Sequence, residues 1–261
     1  MKTVSLLLMT FNCRDCILST LQSIEMQDYP EIEVVISDGG SSDGTVEIIQ
    51  KFAEKSRYRF DVVSEKDGGL YDALNKDVQR ATGDYLMVMN DQLLFKDAVR
   101  RLVEAIEREC ADGSHADLIY ATDTDVIRLW HMGKGSIYTG WMPGHPTLLL
   151  KREVYEQYGS YNISYKSAAD YEFMIRILKD KTVKLAYVPG ILVRMYYGGT
   201  STVSIKSYLR SLSEGHKALT ENGIHGAFLI DILRTGRVLI QFRTTGRVQK
   251  KWQQRHRRPV C

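Results

Sequence analysis

The chain has 261 residues, of which 44% are hydrophobic and 26% charged, and these values fit one large α/β domain or a domain with an appendage. A formal net charge of +3 is too small to indicate nucleic-acid binding. No run approaches the roughly 20 apolar residues that a membrane-spanning helix needs, and four scattered cysteines are typical of a reducing compartment, so we expect a cytoplasmic protein.

The first half of the chain alternates between predicted strands and helices. Residues Val4–Met9 form a short apolar run typical of a buried strand, and apolar side chains then recur at helical spacing from Ile17. The same order repeats three times, with strands at 33–37, 60–63 and 85–89 and helices at Thr45–Lys55, Leu70–Ala81 and Lys96–Cys110. This alternation predicts a parallel sheet covered by helices on both faces.

After Ala121 the alternation weakens, but no linker interrupts the sequence. A strand is predicted at Thr147–Leu150, and helices are predicted at Arg152–Tyr158 and Ala168–Leu178. We therefore expect this half to complete the same domain.

The C-terminal part is predicted to be helical and basic. Two helical patterns follow Ser204, and no acidic residue follows Asp231, whereas nine arginines and lysines do. Such a segment is typical of a helix that lies on an anionic membrane or a partner surface, and a solvated basic helix is the open alternative. We therefore expect a domain over residues 1–200 and a helical basic extension over 201–261.

The four loops that follow the predicted strands are polar or rich in glycine. Ligands bind outside the carboxyl ends of the strands in a parallel sheet, so these loops are candidate binding segments. They are Thr10–Asn12, Asp38–Ser41, Glu65–Gly69 and Asn90–Gln92. One polar loop alone is ordinary, because loops are usually polar. Four such loops on one predicted edge indicate a site.

Motifs at these loops resemble the nucleotide-sugar half of glycosyltransferase family 2, the inverting transferases with a GT-A type fold. The matching segments, in order, are Thr10–Asn12, Ile36–Thr45, Ser64–Asn75 and Ala81–Asp84. Two later segments resemble the family's acceptor half, and they are Pro143–Pro146 and Ser167–Glu172. The resemblance implies a doubly wound, mainly parallel sheet, with a nucleotide-sugar half over 1–121 and an acceptor half over 122–200.

The resemblance also implies roles for side chains in the first half. The nucleotide-binding residues that it implies are Thr10, Asn12, Asp38, Gly39, Ser41, Lys66, Asp67, Asn90 and Asp91. Asp72 and Asn75 lie three residues apart on one helix face, so they are expected to reach the donor sugar or each other. A first-turn Asp also stabilises the helix dipole, which is the alternative for Asp72. Asp43 is expected to cap the helix that begins near Thr45.

The fourth loop departs from the family pattern. In similar proteins this strand ends in Asn-x-Asp-Asp or a close variant, whose carboxylates hold manganese or magnesium against the diphosphate. Here the residues are Asn90, Asp91, Gln92 and Leu93, so the acidic residue comes one position early. Three interpretations stay open: Asp91 binds the divalent cation, the nucleotide binds without a tight metal, or the enzyme is impaired.

The acceptor half of the pattern implies the catalytic group. Inverting transfer needs a base that removes the proton of the acceptor hydroxyl, and Asp170 occupies the family's position for that base. Glu172 is the competing carboxylate, but it lies two residues on and faces another side of the helix. His145 matches a loop residue near the acceptor or diphosphate. Arg194 and the segment 198–201 follow the last matched strand, and we expect them to close over the diphosphate.

The resulting expectation is an enzyme that transfers a monosaccharide from a nucleotide diphosphate sugar, a UDP-sugar by preference, to a glycan or lipid-linked glycan. Its expected location is the cytoplasm, with peripheral contact to the inner face of the cell membrane. Gln92 and Leu93 keep one alternative open, a catalytically impaired protein that still binds the nucleotide sugar. No glycine-rich phosphate loop follows the first strand, which argues against a nucleotidyltransferase or a dinucleotide oxidoreductase.

Overall fold

A computed structural model describes residues 1–196, 205–243, 245–246, 248–250 and 252, with the side chains of 205–208 and 243 excepted. Its strands are β1 (Val4–Thr10), β2 (Ile32–Asp38), β3 (Arg59–Ser64), β4 (Tyr85–Val88), β5 (Gln92–Leu93), β6 (Gly113–Ala121), β7 (Val126–Trp130), β8 (Leu149–Lys151) and β9 (Leu185–Tyr196). Its α-helices are α1 (Arg14–Glu25), α2 (Thr45–Ala53), α3 (Leu70–Arg80), α4 (Ala98–Glu109), α5 (Arg152–Tyr158), α6 (Ala169–Leu178), α7 (Ile205–Glu221) and α8 (Ala227–Arg243).

The first four predicted strands form the parallel part of one sheet. They lie in the order β3-β2-β1-β4, and each neighbouring pair is parallel. Their carboxyl ends therefore meet at one edge, as the sequence predicts. Beyond β4 the sheet is mixed, because β8 runs antiparallel to both β4 and β6, while β6 and β9 pair in parallel.

Both faces of the sheet are covered by helices. In β1 the side chains alternate between the two faces: Leu6 and Leu8 belong to one buried cluster and Leu7 to the other. Helices α1 and α4 supply the first cluster with side chains such as Leu21 and Leu102. Helices α3, α5 and α6 supply the second, and the continuous apolar strands are explained by this burial on two sides.

The long strands β6 and β9 are not predicted from the sequence. Strand β9 contains Pro189 and Gly190, a pair that normally indicates a turn, and Gly190 has a φ of +120°. The register between β9 and β6 shifts near Asp117, so Pro189 and Gly190 form an irregular bulge within one strand. Arg194 therefore lies inside β9, a strand that the sequence does not predict, and its expected closure over the diphosphate stays a prediction.

The two C-terminal helices pack on the domain. Residues on and between them belong to the same buried cluster as α6, and these are Ala218, Leu219, Ile224, Ala227 and Ile230. Trp252 is buried as well, beside Ile119 and Val126. The predicted boundary near residue 200 stays a prediction. Among the residues that the structure describes, no helix is long and apolar enough to cross a membrane.

Candidate functional site

Asp38, at the carboxyl end of β2, is the centre of the polar network at this sheet edge. Its carboxylate accepts hydrogen bonds from the hydroxyls of Thr10 (2.9 Å), Ser41 (2.6 Å) and Ser64 (2.7 Å) and from the N–H groups of Gly40 (3.1 Å) and Ser41 (2.8 Å). Burial alone would raise the pKa of Asp38, but these hydrogen bonds outweigh burial and hold the pKa below its ordinary value. Asp38 is therefore an ionised group that fixes the ends of three strands.

Asn12 joins the first loop to the second. Its side-chain oxygen accepts a hydrogen bond from the N–H of Ser42 (3.0 Å), and its own N–H donates to the Ser41 hydroxyl (2.8 Å). Asn12 holds a left-handed backbone with a φ of +46°, a conformation that Asn tolerates better than most residues. The predicted nucleotide residues of the two loops thus form one connected unit.

Gly39 allows three loops to approach one another. Its N–H donates to the carbonyl of Thr10 (2.8 Å), and a Cβ at this position would lie 3.0 Å from a carboxylate oxygen of Asp67 and 3.3 Å from the Phe11 ring. Phe11 itself is 66% exposed although it follows a buried strand. An exposed aromatic ring beside a polar, glycine-lined corner offers a stacking surface for a flat ligand.

The third loop turns sharply into α3. Gly69 has a φ of +115°, which favours glycine, and its N–H donates to Asp67 (2.8 Å). The Asp72 carboxylate accepts a hydrogen bond from the N–H of Gly68 (2.9 Å), and this bond lowers its pKa. Lys66 is exposed in the same loop, so its ammonium group is available to phosphate.

Asn75 connects the nucleotide half to the acceptor half. Its amide nitrogen donates to the carbonyl of Tyr161 (2.8 Å), and its amide oxygen accepts from the Tyr161 N–H (2.9 Å). The hydroxyl of Tyr161 is in turn 2.8 Å from Nε2 of His145. Asn75 therefore bonds to Tyr161 and not to Asp72, with which it was expected to share a ligand.

His145 lies in a short helical turn over His145–Thr147, and it is enclosed by the acceptor half. Burial lowers its pKa, and the charge of Asp170 opposes that effect without reversing it. The ring is therefore mainly neutral at pH 7. A neutral imidazole bonded to Tyr161 serves as a positioned hydrogen-bonding group rather than as a cation.

Asp170, in the first turn of α6, faces the nucleotide half. The hydroxyl of Tyr71 in α3 donates to its Oδ1 (3.1 Å). Burial and then the charge of Asp170 raise the pKa of Tyr71, so this phenol stays protonated and keeps donating. The bond leaves Oδ2 of Asp170 without a partner among the described residues.

Tyr120, in β6, lies near both carboxylates that the sequence singles out. Burial raises its pKa, Arg128 opposes this, and the charges of Asp91 and Asp170 add to the rise. The Arg128 guanidinium stands 4.6 Å from the centre of the Tyr120 ring. The two predicted carboxylates thus belong to one neighbourhood, although they lie 79 positions apart in the sequence.

Glu172 does not belong to that neighbourhood. Arg176 donates to both of its oxygens at 3.0 Å, and the Asn222 amide donates to one of them at 3.2 Å. Glu172 is 5% exposed, so its carboxylate ties α6 to the end of α7. These contacts favour a structural role for Glu172, and the sugar or acceptor contact that the family motif implies stays a prediction.

The loop after β4 binds neighbouring protein groups. Asn90 accepts a hydrogen bond from the N–H of Met9 (3.0 Å), which joins the ends of β4 and β1. Asp91 accepts a backbone hydrogen bond from Tyr196, and burial raises its pKa to about 7. The side-chain amide oxygen of Gln92 accepts a hydrogen bond from the Arg194 guanidinium (3.0 Å).

The side chains at this loop do not fit a divalent cation. The described residues contain no group of three His, Cys, Asp or Glu that could hold one. Leu93 is 2% exposed and packs in the core, and Gln92 is held by Arg194, whose other nitrogen donates to Asp123 (2.8 Å). A guanidinium bonded to Gln92 would repel a cation at that position. The predicted segment 198–201 lies outside the described residues.

Several residues of the site were not predicted from the sequence. Phe11, Tyr120 and Tyr161 contribute rings around the network. An apolar residue inside the polar segment Thr10–Asn12 was a usable signal for Phe11. Nothing local identifies the others, because strand pairing and loop contacts over long sequence separations bring them to the site.

Three comparisons relate the chain to known proteins. Residues 5–170 match the model of the family described as Glycosyl transferase family 2. Over 221 residues the chain is 30% identical to the PGL/p-HBAD biosynthesis glycosyltransferase of Mycobacterium bovis (strain BCG / Pasteur 1173P2), a match that covers 80% of this chain and 83% of the relative.

Two solved structures share the fold at lower identity. S. aureus TarS 1–349 in complex with UDP-GlcNAc aligns with a TM-score of 0.69 and 15% identity, over 97% of this chain and 79% of that one. The mannosyltransferase PcManGT from Pyrobaculum calidifontis, in complex with GDP-Man and Mn2+, aligns with a TM-score of 0.67 and 16% identity, over 98% and 84%. These likenesses confirm the predicted fold class, a GT-A type sheet with helices on both faces.

Proposed function

The chain belongs to glycosyl transferase family 2 and is a glycosyltransferase, and on that premise we propose that it transfers a monosaccharide from a nucleotide diphosphate sugar with inversion. The proposed donor is a UDP-sugar of the hexosyl or N-acetylhexosaminyl type, and the proposed acceptor is a glycan or lipid-linked glycan. One observation carries the proposal: the Tyr71 hydroxyl of the nucleotide half donates to Asp170 of the acceptor half. The proposed nucleotide half and the proposed acceptor half are therefore joined at the carboxylate of Asp170.

In this mechanism Asp170 is the base. The acceptor hydroxyl oxygen attacks the anomeric carbon of the donor, the bond from that carbon to the diphosphate oxygen breaks, and Oδ2 of Asp170 takes the hydroxyl proton. Tyr71 holds Oδ1 and so fixes the direction of Oδ2. Attack opposite the leaving diphosphate inverts the configuration at the anomeric carbon.

The donor is proposed to bind across the loops after β1, β2 and β3. Asp38 fixes these loops, the absence of a side chain at Gly39 and the short side chain of Ser41 leave room for the nucleotide, and the exposed Lys66 is available to contact phosphate. Phe11 is proposed to stack on the base. The neighbouring solved structures hold UDP-GlcNAc in one case and GDP-Man in the other, so the base is the part of this proposal that a binding panel must test.

Phe11→Ala is expected to weaken nucleotide binding by roughly tenfold, because base stacking on an aromatic ring contributes about 1–3 kcal/mol. Phe11→Tyr keeps the ring and is expected to bind within about twofold of the unmodified protein. Isothermal titration with UDP measures both variants. Equal affinity of the alanine variant and the unmodified protein would remove Phe11 from the base site.

We propose that donor binding does not depend on a tight manganese or magnesium site. Asp91 is the one carboxylate in the segment 90–93, which departs from the Asn-x-Asp-Asp pattern of similar proteins. The Arg194 guanidinium is bonded to Gln92 at the next position. The affinity for UDP is expected to change by less than about threefold between EDTA and millimolar Mn2+. A much larger gain with Mn2+ in the unmodified protein would contradict this and favour a metal held by Asp91.

Restoring the missing acid should not restore a metal site by itself. In Gln92→Asp the new carboxylate is expected to pair with Arg194, so Mn2+ affinity should stay unchanged. Adding Arg194→Gln removes the competing cation, and Mn2+ binding measured by titration should then increase. If Gln92→Asp alone tightened Mn2+ binding, the pairing of Arg194 with position 92 would not control the site.

A catalytically impaired binder is the second candidate function. The observation that favours it is Leu93, a core residue where similar proteins carry an acidic one. Such a protein would bind the nucleotide sugar and show no turnover with any acceptor. The partner contacts of Asp170 favour the enzyme, because they hold a carboxylate oriented between the two halves.

A further inference from the structure

Helix α8 packs one face on the domain and carries large apolar side chains on the face that points away from it. Ala227, Ile230 and Gln241 are buried on the inner side. The outer side carries large exposed apolar side chains, with Phe228 73% and Leu239 63% exposed, and its members are Phe228, Leu229, Ile232, Leu233, Leu239 and Ile240. We name these six residues the outer stripe.

The outer stripe is continuous along the helix. Its residues recur at spacings of three, four and seven positions, and Gly236 fills the gap between Leu233 and Leu239 with open space around it. From Phe228 to Ile240 the stripe is about 18 Å long, at 1.5 Å per residue. Apolar patches of this extent on a protein surface normally contact another surface.

The charges next to the stripe identify that surface. Asp231 is the last acidic residue of the chain, and nine arginines and lysines follow it. Asp231 is itself paired with His216 (2.7 Å) and Arg234 (3.3 Å). Arg237 and Lys250 are exposed. An apolar helix face accompanied by basic residues matches the acyl chains and headgroups of an anionic bilayer.

We propose that the outer stripe of α8 lies in the surface of an anionic membrane, with the exposed Arg237 and Lys250 among the groups that meet the lipid headgroups. The helix is 17 residues long and contains Arg234 and Arg237, so it lies on the bilayer and does not cross it. A second copy of the chain is the less suitable occupant. Two-fold pairing would bring the same basic segments of two copies together, and like charges would oppose it.

This inference rests on the proposed function and names the place of its acceptor. The guanidinium of Arg234 in α8 stands 4.4 Å from the centre of the Tyr171 ring, and Tyr171 follows Asp170 in α6. This contact joins the membrane-facing helix to the catalytic helix. A membrane-embedded α8 would hold Asp170 near the surface from which a lipid-linked acceptor is presented.

The test measures binding to vesicles made of one part phosphatidylglycerol and two parts phosphatidylcholine, with pure phosphatidylcholine vesicles as the comparison. The variant Leu239→Ser with Ile240→Ser removes two side chains of the stripe. The matched control, Leu18→Ser with Ile163→Ser, removes two exposed apolar side chains elsewhere, with Ile163 57% and Ile240 58% exposed. Truncation is not used, because Gln241 and Trp252 are buried.

The unmodified protein and the control are expected to sediment with anionic vesicles, and the stripe variant is expected to partition at least about tenfold less. Added salt should weaken the binding of all three, since screening acts within about 8 Å at physiological ionic strength. Equal partitioning of the stripe variant and the control would overturn the inference. A stable dimer with no vesicle binding would also overturn it, in favour of a second copy.

Affinity for UDP separates this inference from the proposed function. The stripe lies outside the nucleotide loops, so the stripe variant should bind UDP as the unmodified protein does. If vesicle binding fails while UDP binding is retained, the membrane inference is wrong and the transferase proposal stands. If vesicles bind normally and no nucleotide does, the transferase proposal fails instead.

Discussion

Asp170→Asn is expected to lower kcat by about a hundredfold or more, because the amide keeps the shape of the side chain and removes the base. The Asn oxygen still accepts the Tyr71 hydrogen bond, so the local geometry should survive. Nucleotide affinity is expected to stay within about twofold, because Asp170 acts on the acceptor proton and not on the nucleotide. Single-turnover release of UDP in the presence of lipid-linked glycan acceptors measures the rate.

Glu172→Gln is the matched control for this substitution. It changes the neighbouring carboxylate of the same helix, whose oxygens bond to Arg176 and Asn222. We expect a lower melting temperature with nearly unchanged turnover by the folded protein. If Asp170→Asn transfers sugar as fast as the control, Asp170 is not the base. If Glu172→Gln loses the activity instead, Glu172 and not Asp170 is the base.

Asp38→Ala is expected to abolish measurable nucleotide binding while the protein still unfolds cooperatively. The substitution leaves the hydroxyls of Thr10, Ser41 and Ser64 without their shared acceptor. Losing these buried hydrogen bonds should lower the free energy of unfolding by about 2–4 kcal/mol. Isothermal titration with UDP and thermal melting together measure the two effects.

Asp43→Ala is the control for loop stability alone. Asp43 accepts hydrogen bonds from the N–H of Thr45, the first residue of α2, and from the N–H of Arg14, the first residue of α1. The N-cap residue of α2 is Gly44, so Asp43 bonds to the first turn from the residue before the cap and is not the cap itself. The control should melt at a lower temperature and still bind UDP. Unchanged UDP affinity in Asp38→Ala would remove Asp38 from the nucleotide site.

The sequence allows prediction of the parallel half of the fold because its strands are buried on both faces. Val4–Met9 and 33–37 are short, mainly apolar runs followed by polar loops, and local patterning of that kind is independent of distant pairing. Strand β9 escapes prediction for the opposite reason. Pro189 and Gly190 lie inside it as an irregularity, and its pairing with β6 and β5 makes the segment a strand.

Part of the candidate site could likewise be predicted from the sequence, and part could not. Thr10, Asp38 and Asp67 follow strands whose parallel order could be predicted, so their meeting at one edge was predictable. The contact of Arg194 with Gln92 could not be predicted, because it depends on the pairing of β5 with β9 across about a hundred residues of sequence. The poor fit of position 92 to a divalent cation follows from this strand pairing, because the pairing brings the Arg194 guanidinium to Gln92.

The most direct test of the account is titration of the unmodified protein with a panel of UDP-, GDP- and dTDP-sugars, with and without Mn2+. UDP-sugars are expected to bind with micromolar affinity, Mn2+ is expected to change that affinity little, and Asp38→Ala is expected to abolish binding. Failure of every nucleotide sugar in the panel to bind would contradict the central claim, that the loops after β1, β2 and β3 form a nucleotide-sugar site.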